Sequence, residues 1–541
     1  MSAKWTPVLV ILAVALLMGS IAVAGRGAAT MPQLFVTGDQ CMACHNGLVT
    51  PEGTDVSIGT DWRASMMANA ARDPYWQAAV RRETLDHPTA SEAIQHECAA
   101  CHMPMTRYRA KLAGAKGEVF AHLPIGSAEQ PAGLLAADGV SCTVCHQIGE
   151  EKLGDEASFT AGFVVDSKTA FGERHVFGPY DVDTGRAALM QSGSRFRPAT
   201  ATHIQSSELC ASCHTLYTHA LDDDGNAIGT LPEQVPYLEW KHSAYAGRQS
   251  CQSCHMPVVE TDVPITSVLG EPRSEMSRHV FRGGNFFMPK ILGLHRGELG
   301  VQALPQELEM VSRRTARHLE SSAAQVTVKN VVLTGERLAA EVVIRNLAGH
   351  KLPTAYPSRR AWLHFTVHDR AGNPVFESGR LEPSGLIVGN DNDANAKRYE
   401  PHRVEISSPD QVQIYEAILA GPDDEVTTGL LTAVRYLKDN RLLPDGVDKT
   451  TAHEDIAVRG RAGNDADFGD GTDRVRYSVQ VSPEDGPFRV QAELWYQPIG
   501  YRWAHNLRSR QAPEIERFVN YYEQASDVSG IVLARDSVDS E

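Results

Sequence analysis

Five short stretches set a cysteine, two spacers, a second cysteine and a histidine in a row: Cys41, Cys44 and His45; Cys98, Cys101 and His102; Cys142, Cys145 and His146; Cys210, Cys213 and His214; and Cys251, Cys254 and His255. They use all 10 cysteines, so none is left for a disulfide or a free thiol. A redox dithiol needs only the two cysteines, and a structural zinc site needs such pairs to combine. Five do not pair evenly, and zinc does not explain a histidine after every second cysteine. All three residues at this spacing are what attachment of a c-type haem requires. Residues three apart share one face of a helical turn, so both thiols reach the two vinyl groups of one porphyrin. The histidine, four after the first cysteine, lies on the same face and serves as proximal iron ligand. The expected cofactors are five covalently attached haem c groups. The ten cysteines are their anchors, and His45, His102, His146, His214 and His255 are their proximal ligands.

Each iron then needs a sixth ligand or an open position. Five of the 21 histidines sit in the motifs, which leaves enough for mainly bis-histidine ligation. His175 in "ERHVFGPY" and His279 in "SRHVFRGGN" occupy near-copies of one local sequence. His203 precedes a motif by seven residues, and His350 lies in "GHKLPTAYPSRRAW", where glycine and proline mark a loop between strands. These four are the leading candidates for the distal position. His96 is too close to Cys98 to serve its own haem but within reach of a neighbouring one. His96, His122, His242 and Met67 compete for the fifth place, and a thioether there would raise the potential of one haem.

The elements that must hold these residues change character along the chain. Residues 31–300 carry every motif, at intervals too irregular for a solenoid. They are rich in loops, with one helical stretch expected over "WRASMMANAARDPYWQAAVRRET" and a short helix entered at Pro236. Residues 301–322 read as a linking helix with apolar residues at helical spacing. From 323 to 541, β-branched alternation broken by turn residues gives an all-β, sandwich-like domain with loop insertions, a C-terminal helix and a polar tail. The fold class is therefore α+β multidomain: a mostly α-helical, loop-rich multihaem domain followed by a β-sandwich-like domain. Two insertions, "NDNDANAK" and "NDADFGDGTDR", cluster oxygen ligands of the kind calcium takes. Neither has EF-hand spacing, and turns use the same residues, so calcium is the lesser reading.

The N-terminus has Lys4, an apolar run over residues 8–18 and Ala22-Val23-Ala24 ahead of Gly25. Residues 1–24 read as a secretory signal peptide or, if retained, an N-terminal anchor. Either places the rest outside the cytoplasm, in the periplasm or beyond, and a membrane enters only if the segment is kept. The net charge of −16 argues against nucleic acid and fits a basic redox partner protein.

The five motifs, with "SELCASCHTL", "YLEWKHSAY" and "SCQSCHMP", make residues 35–290 resemble the multihaem c-type cytochromes. That superfamily includes hydroxylamine oxidoreductase-like proteins and pentahaem nitrite reductases. "GHKLPTAYPSRRAWLHF" is similar to a segment of multihaem cytochromes with a C-terminal β-domain, and the resemblance implies His350 as a ligand supplied by that domain. Neither named activity carries over. The nitrite reductases mark their catalytic haem with a motif lysine, absent here, and hydroxylamine oxidoreductases carry more than five haems.

The function expected from all this is extracytoplasmic electron transfer along a chain of haems, a carrier rather than a substrate-converting enzyme. The rival is an oxidoreductase of small nitrogen or sulfur species at one five-coordinate haem, with Arg195, Arg197 and Tyr245 as candidate pocket residues. The β-domain could in either case dock a partner while the haems conduct.

Overall fold

The computed structural model describes residues 33–126 and 131–540. The expected signal segment lies outside them. Among the described residues no helix is long and apolar enough to cross a membrane.

Among the described residues up to 300 the chain is a succession of short helices and three small two-stranded sheets. The longer helices include α1 (Pro74–Asp86), α2 (Ser91–His102), α3 (Pro104–Leu112) and the helix Thr184–Ser194. The stretch expected as one helix is broken. A short helix ends at Arg63, a turn follows, and α1 starts anew at Pro74. The cause is local: the Asp73 carboxylate caps the backbone N–H groups of Tyr75 and Trp76, and proline suits the first helical position. The small sheets pair β1 (His175–Gly178) with β2 (Arg197–Thr200), β3 (Leu216–Leu221) with β4 (Ala227–Gln234), and β5 (Val263–Pro264) with β6 (Pro272–Arg273).

The helix α4 (Pro305–Ser322) leads into the large sheets. One has the order β11 (Glu405–Ile406), β15 (Thr472–Gln480), β8 (Arg337–Asn346), β7 (Ala324–Thr334). The other runs β13 (Val426–Thr427), β12 (Ile414–Ala420), β9 (Arg360–His368), β16 (Arg489–Gln497), β17 (Ile531–Asp539), with β10 (Pro374–Ser378) on β9 and β14 (Arg435–Asp439) on β12. Inward residues of both sheets share one core, and the rings of Phe365 and Tyr477 stack across it at 3.7 Å. Strands β8 and β15 alternate buried with half-buried or exposed residues, as a half-covered sheet requires. Strand β12 is buried at every position because its other face is covered too, with Ile387 and Val412 packing there against Trp362 and Ile414.

The segment read as a polar tail is β17, which pairs antiparallel with β16. From Ala534 on, half-buried Ala534, Asp536 and Val538 alternate with exposed Arg535, Ser537 and Asp539, as suits an edge strand. The helix before it, α5 (Pro513–Ala525), packs on α1, so the C-terminus returns to the motif-bearing part. The architecture is α+β and multidomain in make-up.

Candidate functional site

Each motif forms a helical turn, the second as the last turn of α2, and the backbone shows why the histidine sits where it does. The N–H groups of His45, His146 and His214 donate to the carbonyls of Cys41, Cys142 and Cys210, which places each imidazole one turn after the first thiol. Before the third motif, Gly139 has φ +59°, and a side chain there would run into the carbonyls of Met67 and Ala68. That close approach, with Val140 donating to the Met67 carbonyl and accepting from the Trp62 indole, fixes the entry to Cys142.

Four of the five motif histidines turn Nδ1 onto a backbone carbonyl. His45 meets Ile265 at 2.6 Å, His102 meets Ala70 at 2.9 Å, His146 meets Phe177 at 2.6 Å and His255 meets Arg282 at 2.5 Å. An Nδ1–H spent on a carbonyl leaves the Nε2 lone pair free, the arrangement metal-ligating histidines use. Burial pushes His102 and His255 down to about 4, so both imidazoles are neutral at neutral pH, the form that binds a metal. Trp76 stacks on His102 at 4.3 Å and 2°.

Two further histidines stand opposite motif histidines. His279 and His146 have ring centres 6.2 Å apart and planes inclined by 19°. His350 and His255 are also 6.2 Å apart, inclined by 11°. Two imidazoles sharing one metal at about 2 Å from each nitrogen put their ring centres roughly 6 Å apart. Both opposing rings have Nδ1 engaged, His279 with the Ser277 carbonyl and His350 with that of Lys351. Burial holds His279 at about 3.

Ionic groups beside each opposing histidine fix its place. Arg278 forks onto Asp61 at 2.8 and 2.9 Å, and Arg314 of α4 adds a contact of 3.0 Å. Lys351 meets Asp439 at 2.7 Å, Arg441 meets the same carboxylate at 2.7 Å, and Arg441 also reaches Glu239 at 3.1 Å. The Lys351 N–H donates to Glu239 as well, which ties the His350 loop to the helix Pro236–Lys241 just ahead of the fifth motif. Burial pushes the Asp439 carboxyl up, but Arg441 and Lys351 outweigh it and hold the group below the usual carboxylate range.

The other candidates are placed differently. His175 is exposed on β1. His203 commits both nitrogens, Nε2 to the Ile148 carbonyl at 2.8 Å and Nδ1 to Glu150 at 3.3 Å. His96 accepts from the Gly117 N–H at Nδ1, so its proton lies on Nε2, the nitrogen a metal would need. Met67 lines the cavity described below. His242 has its ring 5.8 Å from His453, and His122 ends a short 3-10 turn. Sequence reasoning passed over His318 on α4, whose ring lies 6.5 Å from His255 at 77°. It also passed over the Glu239, Lys351, Asp439 and Arg441 network. Helical spacing gave no cue to the first, and the second joins three distant segments.

Four of the motifs line one connected, mostly apolar cavity of about 3460 Å³, part of it open to solvent. The paired thiols, free imidazole nitrogens and apolar walls fit covalent haem. Tyr356 and Arg359 line it, whereas Arg195, Arg197 and Tyr245 do not. Arg195 lies over the Phe171 ring, Arg197 pairs with Glu173, and Tyr245 donates to the Leu347 carbonyl at 3.0 Å. His214 differs from the other motif histidines. Among the described residues it has no ring partner and no hydrogen bond from its imidazole, and Arg359 is the charge that acts on it.

The oxygen-rich insertions are engaged internally. Asp393 takes Arg360, and Asp391 takes Arg398. His402, Asp465 and Asp473 form a buried cluster with metal-like composition. The amides of Gln413 and Asn440 donate to His402 Nδ1 at 2.8 and 3.1 Å. Both amides are oriented by backbone donors, Arg403 and Glu416, so the proton of His402 sits on Nε2 and points at Asp465. The cluster is closed by its own hydrogen bonds.

Among solved structures the chain is similar to a penta-heme cytochrome c552 from Thermochromatium tepidum, with a TM-score of 0.53 and 17% identity. The likeness covers 93% of this chain and 98% of that one, and at this identity it concerns the fold. No family model matches the chain, and no curated protein matches it.

Proposed function

We propose that this chain is an extracytoplasmic pentahaem c-type cytochrome that carries electrons between partner proteins. The observation that carries the reading is the pair of imidazole couples, His146 with His279 and His255 with His350, each at 6.2 Å and each keeping Nε2 free. Bound at the five motifs, haem supplies one-electron chemistry at iron. The chain's own residues do the rest. Ten thiols anchor the porphyrins, backbone carbonyls orient the imidazoles, and His279 and His350 close two irons against outside ligands. The fold shared with a protein named for five haems supports the count. Export rests on the N-terminal segment, and the net charge of −16 suits a basic partner.

One observation favours a second reading. Among the described residues His214, like His45 and His102, has no imidazole opposite, but it alone of the three lies under the charge of Arg359, in a cavity that Tyr356 also lines. An iron there with an open face, beside a cation, would suit a small anionic nitrogen or sulfur species.

Carbon monoxide added to the fully reduced holoprotein separates the two. The carrier reading expects no spectral change. Rapid binding to about one haem in five would move the assignment to a reaction centre, at the fourth motif if Arg359→Ala changes that binding.

A further inference from the structure

Leu269 is 71% exposed, more than any other large apolar side chain among the described residues, and its backbone is left-handed at φ +51°. Neither condition helps folding: glycine would relax the turn, and a polar side chain would suit the water. The turn is nonetheless held firmly. It belongs to the loop 265–271 between β5 and β6, and that loop grips the first motif. The Ile265 carbonyl takes His45 Nδ1 at 2.6 Å, and Ser267 donates to the Cys44 carbonyl from its N–H at 2.8 Å and from its hydroxyl at 3.0 Å. A side chain at Gly270 would run into the Thr266 carbonyl, so the chain turns back sharply there. Arg186 donates to the Leu269 carbonyl at 2.8 Å from the helix Thr184–Ser194, which itself packs on the first-motif turn Asp39–Met42. Leu189, three residues after Arg186 and so on the same helical face, is exposed, and so is Val268. Met42, Met190 and Ile265, from the same three segments, line the large cavity.

The surroundings are acidic. Asp39, Asp181, Asp183, Glu271 and Glu275 are exposed there, and the guanidinium groups among them are those of Arg186 and Arg273. Arg186 is spent on Asp183 at 2.6 Å and Glu271 at 2.8 Å, and Arg273 donates to the Asp181 carbonyl at 3.1 Å.

We infer that Leu189, Val268 and Leu269 form a docking face for a small basic redox protein, one that presents its own cofactor at an apolar face ringed by lysine or arginine. The inference rests on the pentahaem reading above and places the exchange at the haem of the first motif. An apolar centre inside a charged rim is the anatomy of an interface, and opposite charges across the rim speed encounter. A second copy of this chain would set acidic rim against acidic rim, and an anionic lipid surface would meet the same repulsion.

The test mixes reduced holoprotein in a stopped-flow spectrophotometer with the oxidised form of a lysine-rich monohaem cytochrome c, whose ferric iron takes one electron per molecule. The second-order rate should fall as salt is added. Leu269→Gly should lower the rate at low salt about tenfold, while the unfolding midpoint stays level or rises. Val332→Ser, at another exposed apolar position on β7, should leave the rate unchanged. Asp181→Asn with Glu275→Gln should flatten the salt dependence. A rate for Leu269→Gly within about twofold of wild type, or an equal loss from Val332→Ser, overturns the docking face. So does a rate that rises with salt, or a loss matched by shifted haem midpoint potentials, which would trace it to driving force. A wild-type dimer that Leu269→Gly separates assigns the face to a second copy and overturns the proposal as well. A wild-type mass short of five haems refutes the pentahaem reading instead.

Discussion

The third and fifth motifs carry the same signature and face an opposing imidazole at the same 6.2 Å, yet the two partners arrive by different routes. His279 comes from the motif-bearing part, next to an arginine that forks onto Asp61. His350 comes from the loop after β8, held by a buried network of Lys351, Asp439, Arg441 and Glu239. The first pair joins segments that share a neighbourhood of short helices. The second joins the motif-bearing helices to the sheets. A Cys-x-x-Cys-His turn builds one side of an iron site by itself, and the other side is set by whichever tertiary contact reaches it. Among the described residues the first, second and fourth motifs have no imidazole opposite and show the same rule from the other direction.

Breaking either pair outright gives the largest effect. His350→Ala and His279→Ala should each turn one low-spin haem of the five high-spin and add about one haem to the fraction that binds carbon monoxide. An unchanged spectrum in either variant removes that residue from the ligand set. The supports come next. Asp439→Asn leaves Lys351 and Arg441 buried against a neutral amide and should cost about 3–5 kcal/mol, read from denaturant unfolding of the holoprotein. Asp61→Asn should cost less, about 1.5–3 kcal/mol, because Arg278 and Arg314 retain some access to water. Equal losses would mean that the two routes are held alike.

The smallest effect is one of pH. Asp439 titrates below its ordinary 3.8 in the folded protein. Its contribution to stability is therefore complete above about pH 4 and falls away as the pH drops further, through the folded value. Wild-type stability should decline below pH 4 more steeply than that of Asp439→Asn. Parallel curves would show that the network is not what acid breaks.

The proximal half of each candidate site can be read from sequence because it is local: five residues in one helical turn. The distal half cannot, and the two Arg-His-Val-Phe segments show why. They are near-identical in sequence, yet His175 lies exposed on β1 while His279 faces His146. His203 was a reasonable candidate by proximity, but its nitrogens are taken by Ile148 and Glu150. The sheets were legible from alternation. The break before Pro74 was hidden by helical residues on both sides of a capping aspartate. β17 was hidden by its charges, since an edge strand needs apolar residues on only one face.

The central claim is that all five motifs carry covalent haem, and the mass of the denatured holoprotein after treatment with a thiol alkylating agent tests it most directly. Protein matured in a compartment that attaches haem should gain the mass of five haem groups and take up no alkyl group on any of its 10 cysteines. Fewer haems, with alkylated cysteines at a motif, would contradict it.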